Sequence, residues 1–180
     1  MNLIGKNIIL RAIEERDCEF LRKMINDPET EKDVVGWSFP VSSAEQMTWF
    51  NNNCHSKNDI RLIIEHNEVA IGLVSITNID WKNRKAENGI KLFGNNIKGK
   101  GFGTETIRLI MKYAFEELQL NRLYSTILFT NIPSQKLYKK CGWKIEGTLR
   151  KSVFKNNKYI DELQVGVLKD DYEKIKKEWL

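Results

Sequence analysis

The stretch Lys98-Gly99-Lys100-Gly101-Phe102-Gly103 decides how this chain of 180 residues folds. It follows a segment with the composition of a strand, Ala86 to Phe93, and it precedes an amphipathic segment, Thr104 to Leu118. Small residues let backbone N–H groups approach a ligand closely, and the N-terminus of the following helix adds its positive end. A strand, a glycine loop and a helix in this order therefore predict a binding site for an anionic group.

The spacing of the glycines restricts which anion this is. The loop has neither the G-x-x-x-x-G-K-(S/T) spacing of a nucleotide triphosphate loop nor the G-x-G-x-x-G spacing of a dinucleotide fold, so a pyrophosphate of another kind remains. The helix after the loop is the clearest in the chain, because its apolar residues recur at helical offsets. These residues are Ile107, Ile110, Met111, Ala114, Phe115 and Leu118.

Length and composition indicate one domain over residues 1–180. Hydrophobic residues make up 41% of the chain and charged residues 29%, which is enough apolar material for a core. No run of about 18 apolar residues occurs and the N-terminus lacks the pattern of a secretory signal, so we expect a cytoplasmic protein with no membrane partner. The net charge of +5 suits an anionic ligand, but lysines scattered over a solvated surface explain it equally well.

The cysteines predict neither a disulfide nor a metal site. Cys18, Cys54 and Cys141 are odd in number and far apart, which is typical of reduced thiols. No Cys or His pair has the spacing of zinc ligands. Covalent catalysis by Cys141 is disfavoured, because neither His55 nor His66 comes with a recognisable partner motif.

The remaining patterns predict a mixed α/β chain without repeats. Predicted strands run from Ile8 to Ala12, Ile60 to Glu65, Val69 to Ile76, Ala86 to Phe93, Leu123 to Phe129, Ser152 to Phe154 and Tyr159 to Leu168, with a further segment from Trp143 to Gly147. Predicted helices run from a cap at Asp17 to Ile25, from Ala44 to Asn52, from Thr104 to Leu118, from Pro133 to Lys140, and onward from Lys169. Residues 29–41 are expected to be a loop or a broken helix.

Two motifs of the chain together resemble the GNAT N-acetyltransferase superfamily. The glycine loop is similar to the family's cofactor motif (Q/R)-x-x-G-x-(G/A), with Lys98 where glutamine or arginine is usual. Residues 130–143, TNIPSQKLYKKCGW, resemble the family segment N-x-x-(S/A)-x-x-L-Y-x-x-x-G-(F/W). Each motif alone is short, but the pair at this separation is specific. Leu10-Arg11-Ala12 and Gly147-Thr148-Leu149-Arg150 extend the resemblance to the RimJ/RimL-type branch and its spermidine-acetylating relatives.

The resemblance implies the GNAT fold. This is a central, mostly antiparallel mixed sheet of six to seven strands flanked by helices, with a splayed parallel strand pair at the cofactor site. The cofactor implied is acetyl-coenzyme A (acetyl-CoA), without a metal, bound between the strand that ends at Phe93 and the strand that starts at Leu123. Dimers are common among similar proteins, so the resemblance is compatible with a homodimer.

The resemblance also implies which residues bind the cofactor. Backbone groups around Leu92 and Phe93 would pair with the pantetheine arm like an added strand, and one N–H would polarise the thioester carbonyl. Asn131 would reach the same arm, unless it is a plain turn or capping residue. The pyrophosphate would lie on Lys98, Gly99, Lys100, Gly101, Phe102, Gly103 and Thr104.

Two residues are the catalytic candidates that the resemblance implies. Tyr138 would protonate the departing thiolate, which a phenol of pKa about 10 can do; the alternative is a core tyrosine packed on Trp143. Glu87 would take the proton of the ammonium substrate, directly or through water; the alternative is a carboxylate paired with Arg84 or Lys85. The amine is expected to attack the thioester directly in a ternary complex.

The acceptor amine stays open at the level of the sequence. Residues 29–41 and 81–85 would form its site, and the candidates are a protein N-terminal amine, a polyamine and an amino sugar. An acidic mouth would favour the polyamine. Two rival functions remain. One is a non-catalytic coenzyme A sensor of the same fold, and the other is a basic nucleic-acid-binding module. No motif of aromatic and basic residues supports the second, so no nucleic-acid partner is expected.

Overall fold

An eight-stranded sheet forms the centre of the computed structural model, which describes residues 1–36, 39–53, 56–94 and 97–179. The strands are β1 Leu3–Ile4, β2 Ile9–Ala12, β3 Ile60–His66, β4 Val69–Asp80, β5 Lys85–Leu92, β6 Arg122–Leu128, β7 Lys144–Lys155 and β8 Lys158–Leu168. Their order across the sheet is β1-β2-β3-β4-β5-β6-β8-β7, with every neighbouring pair antiparallel except β5 and β6. The predicted mixed, mostly antiparallel sheet with one parallel pair is confirmed.

The predicted count of six to seven strands is wrong because the shortest strand, β1, depends on tertiary pairing. β1 has only two residues, and it exists because Leu3 and Ile4 pair with β2. β7 is one strand of 12 residues, where the sequence suggested two separate segments. Irregular register near Ile145 and between Leu149 and Val153 bends β7 without ending it, as β-bulges do.

Six α-helices cover the two faces of the sheet within the described residues. They are α1 Cys18–Ile25, α2 Pro28–Asp33, α3 Ser43–Asn53, α4 Phe102–Lys112, α5 Ile132–Lys140 and α6 Lys169–Ile175; a π-helical turn, Tyr113–Glu117, extends α4. α2 is the broken helix within residues 29–41, and it starts where Asp27 Oδ2 accepts the N–H of Thr30 at 2.8 Å. Across the described residues, none of the helices is both long and apolar enough to cross a membrane.

The two faces of the sheet are packed unequally. On one face α4, α5 and α6 cover a large buried cluster that includes Ile64, Ile76, Ile110, Phe115, Leu123 and Val165. On the other face α1 and α3 cover a small cluster of Leu21, Met24 and Ile63, with half-buried residues such as Trp49 around it. The second face therefore has room for a cavity.

The parallel strands β5 and β6 separate soon after they meet. Their register has three pairs, from Lys85 opposite Arg122 to Glu87 opposite Tyr124. Beyond that point β5 continues along β4 as far as Leu92, and β6 continues along β8. A wedge-shaped gap therefore opens in the middle of the sheet, which confirms the predicted splayed pair.

A buried ion network fixes α1 to the sheet. Arg11 on β2 donates to Asp17 at 2.7 and 2.9 Å and to Glu65 on β3 at 2.5 Å. Asp17 also accepts the N–H of Glu14 at 2.8 Å, so its side chain does not cap α1 as the sequence suggested. Burial opposes the ionisation of Asp17, but the hydrogen bonds from Arg11 and Glu14 outweigh burial and lower its pKa.

We predict that Asp17→Asn lowers the free energy of unfolding by about 2 kcal/mol at pH 7, because Arg11 loses a buried anionic partner. The folded-state pKa of Asp17 lies below its unfolded value, so its contribution is present above about pH 4 and disappears as the pH falls through the folded pKa. Urea titrations of both proteins at pH 7 and pH 3 measure this. The difference between them should shrink at pH 3.

Glu19→Gln is the matched control, since Glu19 is an exposed carboxylate of α1 that pairs with Arg22. It should leave the unfolding midpoint nearly unchanged. Equal losses for the two variants, or a difference that persists at pH 3, would show that the network does not stabilise the fold in this way.

Candidate active site

The edge of β5 that faces the gap carries backbone groups without a strand beside them. The N–H of Phe93 donates to the carbonyl of Ile71 on β4 at 2.9 Å. Because hydrogen-bonding directions alternate along a strand, the N–H and C=O of Leu92 point the other way, into the gap. Leu92 therefore fits the predicted backbone contact, whereas the Phe93 N–H is already used within the sheet.

The glycine loop leads into α4 through two left-handed residues. Gly99 has φ +79° and Gly101 has φ +85°, and a Cβ built on either would meet nothing within 4 Å. Gly101 is the cap of α4, and the first helical hydrogen bond runs from Glu105 N–H to the Gly101 carbonyl at 3.0 Å. The N–H groups of residues 102–104 thus have no helical acceptor, which leaves them for an anion.

The other residues of the loop are either exposed lysines or residues that pack against the rest of the protein. Lys98 and Lys100 are exposed beside the glycines. Phe102 is buried, and its ring lies 4.5 Å from the His66 ring, so only its backbone is available to a ligand. A Cβ on Gly103 would come within 3.2 Å of Leu137 Cδ2, so this glycine lets α4 pack closely against α5.

Asn131 is a buried capping residue in this structure. Its Oδ1 accepts the N–H of Ser134 at 3.0 Å, which caps α5, and its Nδ2 donates to the carbonyl of Asp33 at 2.8 Å. Both the oxygen and the nitrogen of its side-chain amide therefore have protein partners. Asn131 is thus a capping residue, which was the alternative that the sequence left open. Asn131 still lines the cavity, and its amide keeps a second N–H and a second lone pair beyond these two hydrogen bonds.

Tyr138 is 3% exposed and bridges the two sides of the gap. Its hydroxyl donates to Asn88 Oδ1 on β5 at 3.0 Å, and Asn88 Nδ2 donates to the Ser75 carbonyl on β4 at 2.9 Å. The ring also packs edge-to-face on Trp143 at 4.7 Å, so the predicted packing partner is present as well. Burial raises the pKa of Tyr138 far above its usual range, and the Ser125 hydroxyl opposes that rise only in part.

Asn88 is a site residue that the sequence reasoning did not identify. It is 1% exposed, and its side chain joins Tyr138 to the sheet. The available signal was the position of Asn88 on the face of β5 that also carries Ala86, Ile90 and Leu92, since an asparagine among apolar neighbours needs a buried partner.

A cavity of about 760 Å³ opens on the face of the sheet that α1 and α3 cover. Its floor comes from the strands beside the gap and its roof from α1, α3 and the segment after α2, and Asn88 and Tyr138 are also among its lining residues. The polar lining residues include Asp33, Glu45, Gln46, Arg61, Ser75, Thr77, Glu87, Lys91 and Ser125; the apolar ones include Leu21, Met24, Phe39 and Trp49. Trp37, another aromatic of this region, lies outside the described residues.

Glu87 is half-buried on the floor of this cavity. Its Oε2 accepts the side-chain N–H of Asn78 at 2.8 Å. In the part of the chain that the structure describes, neither Arg84 nor Lys85 forms an ion pair with it. Burial, and then the charge of Glu87, raise the pKa of the neighbouring Tyr124 hydroxyl.

The two catalytic candidates reach the gap from opposite sides. Side chains alternate along β5, so Glu87 faces the cavity while Asn88, the partner of Tyr138, faces α4 and α5. A reacting group held in the gap would therefore have a carboxylate on one side and a protonated phenol on the other. Such an arrangement can accept a proton from one substrate and donate a proton to the leaving group of another.

Comparisons with known proteins agree with this geometry. The profile of the Acetyltransferase (GNAT) domain matches residues 7–144. The uncharacterized N-acetyltransferase p20 of Bacillus licheniformis is 31% identical over 94% of this chain and 97% of its own length, and the spermidine N(1)-acetyltransferase of Escherichia coli K12 is 25% identical over 92% and 88%. The crystal structure of spermidine N-acetyltransferase from Vibrio cholerae in complex with CoA and spermine superposes with a TM-score of 0.87 and 27% identity, covering 94% of this chain and 99% of that one.

The family profile covers well over half of the chain, and it includes the splayed strands, the glycine loop and Tyr138. The solved structure shares the fold over nearly the full length of both chains. These matches confirm the resemblance that the two sequence motifs indicated. The chain belongs to the acetyltransferase (GNAT) domain family.

Proposed function

We propose that this acetyltransferase takes its acetyl group from acetyl-CoA and transfers it to a primary amine within a ternary complex. The observation that carries the proposal is the gap between β5 and β6. Its β5 edge leads towards the glycine loop, and both Tyr138 and Glu87 line the cavity beside it. The relatives support the donor, since the Vibrio cholerae spermidine N-acetyltransferase was solved with CoA.

The residues of the loop fit a pyrophosphate. A Cβ on Gly99 or Gly101 would project into open space, and that space adjoins the N–H groups of residues 102–104. Backbone donors at a helix N-terminus, flanked by Lys98 and Lys100, are suited to two linked phosphates. The pantetheine arm would lie along the open edge of β5, where Leu92 offers one N–H and one C=O.

The chemistry follows from the placement of the side chains. Acetyl-CoA supplies an electrophilic thioester when bound. In our proposal Glu87 accepts the proton of the acceptor ammonium, directly or through a water, and the Leu92 N–H faces the carbonyl oxygen. The amine nitrogen then bonds to the acetyl carbon as the C–S bond breaks. Tyr138 donates its proton to the departing thiolate, for which its hydroxyl has to turn away from Asn88 Oδ1, and the phenolate regains a proton from the acylated nitrogen. Burial raises the pKa of Tyr138, so the phenol is protonated before the thiolate forms.

The charges around the cavity restrict the choice of acceptor amine. Asp33 and Glu45 are exposed carboxylates at its mouth, and they favour a polyamine. Arg61 and Lys91 are partly buried cations of the same cavity lining, and they disfavour a polyamine. The cavity as a whole is therefore of mixed charge, and the acidic surface expected of a polyamine site is present only in part.

We predict that Gly101→Val weakens the binding of coenzyme A about tenfold, because a β-branched residue at φ +85° is strained by roughly 1–2 kcal/mol and its side chain occupies the phosphate space. Isothermal titration calorimetry with coenzyme A measures the change. Gln119→Val is the matched control, since Gln119 has φ +54° at the far end of the helix that follows the loop. It should keep the affinity of the parent protein; unchanged affinity of Gly101→Val would contradict the proposed phosphate site.

We predict that Tyr138→Phe lowers kcat by about 10² to 10³-fold while the affinity for acetyl-CoA stays within about threefold, because only proton donation is removed. A thiol-release assay with acetyl-CoA and a panel of amines gives kcat, and calorimetry gives the affinity. Tyr172→Phe is the matched control: Tyr172 is equally buried, and its hydroxyl donates to Glu116 at 2.7 Å, outside the cavity. It should retain the parent kcat.

Two outcomes separate the proposal from its rival. An active parent protein with a slow Tyr138→Phe variant supports catalysis. Tight binding of coenzyme A without turnover of any amine would instead support a non-catalytic coenzyme A sensor. Wild-type kcat in Tyr138→Phe would leave the enzyme class intact and remove Tyr138 from its proposed role.

A further inference from the structure

Three residues of β5 give the floor of the cavity an ordered pattern of charge. Glu87, Gly89 and Lys91 alternate with inward residues, so they face the same side of the sheet. Gly89 has no side chain, and a Cβ there would come within 3.0 Å of Ser75 Oγ, so the floor is open between the carboxylate and the ammonium. The Cα atoms of Glu87 and Lys91 are about 13 Å apart along the strand.

Lys91 is a partly buried cation without a protein counter-ion. Within the described residues no carboxylate lies within ion-pair distance of its ammonium, and no hydrogen bond from it is formed. Burial lowers its pKa, and the positive charge of Arg61 lowers it further. A charge held out of water without a partner is unfavourable, so this position is suited to an anion that arrives with a ligand.

Arg61 on β3 is a second cation of the same cavity, and it is incompletely paired. Its side chain is 21% exposed, and the guanidinium lies 5.9 Å from the Trp49 ring. Asp59 Oδ2 is 3.3 Å from Nη1, yet Nη1 is buried and finds no hydrogen-bond acceptor among the described residues. The other oxygen of Asp59 accepts the Asn78 N–H at 3.0 Å. A buried donor of Arg61 is therefore left for a ligand.

The carboxylates that line the cavity do not compensate these two cations. Glu45 accepts the N–H of Ser42 at 2.7 Å, at the start of α3. Glu87 accepts from Asn78, and the side chain of Asp33 is exposed at the mouth. Among the described residues Asp59 is the carboxylate within ion-pair distance of Arg61, and no carboxylate of the cavity lining pairs with Arg61 or Lys91.

We propose that the acceptor of this acetyltransferase carries an anionic group, a carboxylate or a phosphate, and that Arg61 and Lys91 bind this group while Glu87 faces the amine. The inference rests on the acetyl transfer proposed above and names its substrate class. A polyamine would place a further positive charge near two cations that already repel each other. An anionic amine satisfies the buried donor of Arg61 and the ammonium of Lys91 together.

The apolar roof specifies the remainder of the acceptor. Leu21, Met24 and Trp49 line the cavity opposite the charged floor. A flexible aliphatic side chain beside the amine would lie against them and lose its contact with water. Methionine is therefore the carboxylate-bearing probe, and glucosamine 6-phosphate is the phosphate-bearing probe.

The test compares acceptors that differ only in the anion. Thiol release by the full chain with acetyl-CoA is measured for methionine against 3-(methylthio)propylamine, for glucosamine 6-phosphate against glucosamine, and for spermidine. We expect the anionic member of at least one pair to have a kcat/KM at least tenfold above its partner and above spermidine, which corresponds to one charge-assisted contact. The pair that shows the effect identifies carboxylate or phosphate.

Variants of Lys91 link the preference to this cavity. Lys91→Met keeps the length of the side chain without its charge. It should raise KM for the acceptor with the anionic group about 10- to 100-fold and change kcat/KM for the partner without that group less than twofold. Lys91→Arg should restore most of the loss. Lys112→Met, on an exposed position of α4, is the matched control and should behave as the parent protein. Thermal unfolding of each variant checks that the fold is intact.

Two results would overturn the inference and leave the acetyl transfer standing. One is a higher kcat/KM for spermidine or for the partners without the anionic group; the other is equal losses for both members of a pair in Lys91→Met. Turnover of none of the amines, with coenzyme A still bound, would overturn the proposed function and this inference together. The binding of coenzyme A itself does not depend on Lys91 in this scheme.

Discussion

The separation of β5 from β6 is the constraint on which the rest of the site depends. A sheet normally pairs every internal strand on both edges, because unpaired backbone groups away from water are costly. Here β4 holds one edge of β5 and β8 holds one edge of β6, so the sheet tolerates an open wedge between them. The wedge exposes the backbone of Leu92 at a fixed position, which is why a ligand with its own amide groups can take the place of a strand.

Tyr138 connects the two sides of this wedge. Its hydroxyl donates to Asn88 on β5, and Asn88 in turn donates to a carbonyl of β4. These bonds connect α5 to the half of the sheet formed by β1 to β5. The ring packs edge-to-face on Trp143, and burial raises the pKa of the hydroxyl. Packing in the core therefore does not exclude the proton donation proposed for Tyr138, although the sequence presented the two as alternatives.

Sequence reasoning succeeded where structure is local and failed where it depends on distant partners. The glycine loop, the amphipathic α4 and the proline-started α5 each carry their signal within a few residues, and each is present close to its predicted bounds. β1 is a strand only through its pairing with Leu10 and Ile9, and β7 is continuous only because β8 runs beside it. The contacts of Asn88 are equally non-local, since its hydrogen-bond partners Tyr138 and Ser75 lie on α5 and β4.

The alternation of β5 separates two sets of side chains. Asn88 and Leu92 face the side of α4 and α5, whereas Glu87 and Lys91 face the side of α1 and α3, so a register shift of one residue would exchange the two sets. In a closed sheet covered on both faces, the charges of Glu87 and Lys91 would lie in a dry core and would have to pair. The open wedge and the loosely packed face next to it remove that requirement, and in the function proposed above the same opening would admit the thioester and keep these charges available to an acceptor.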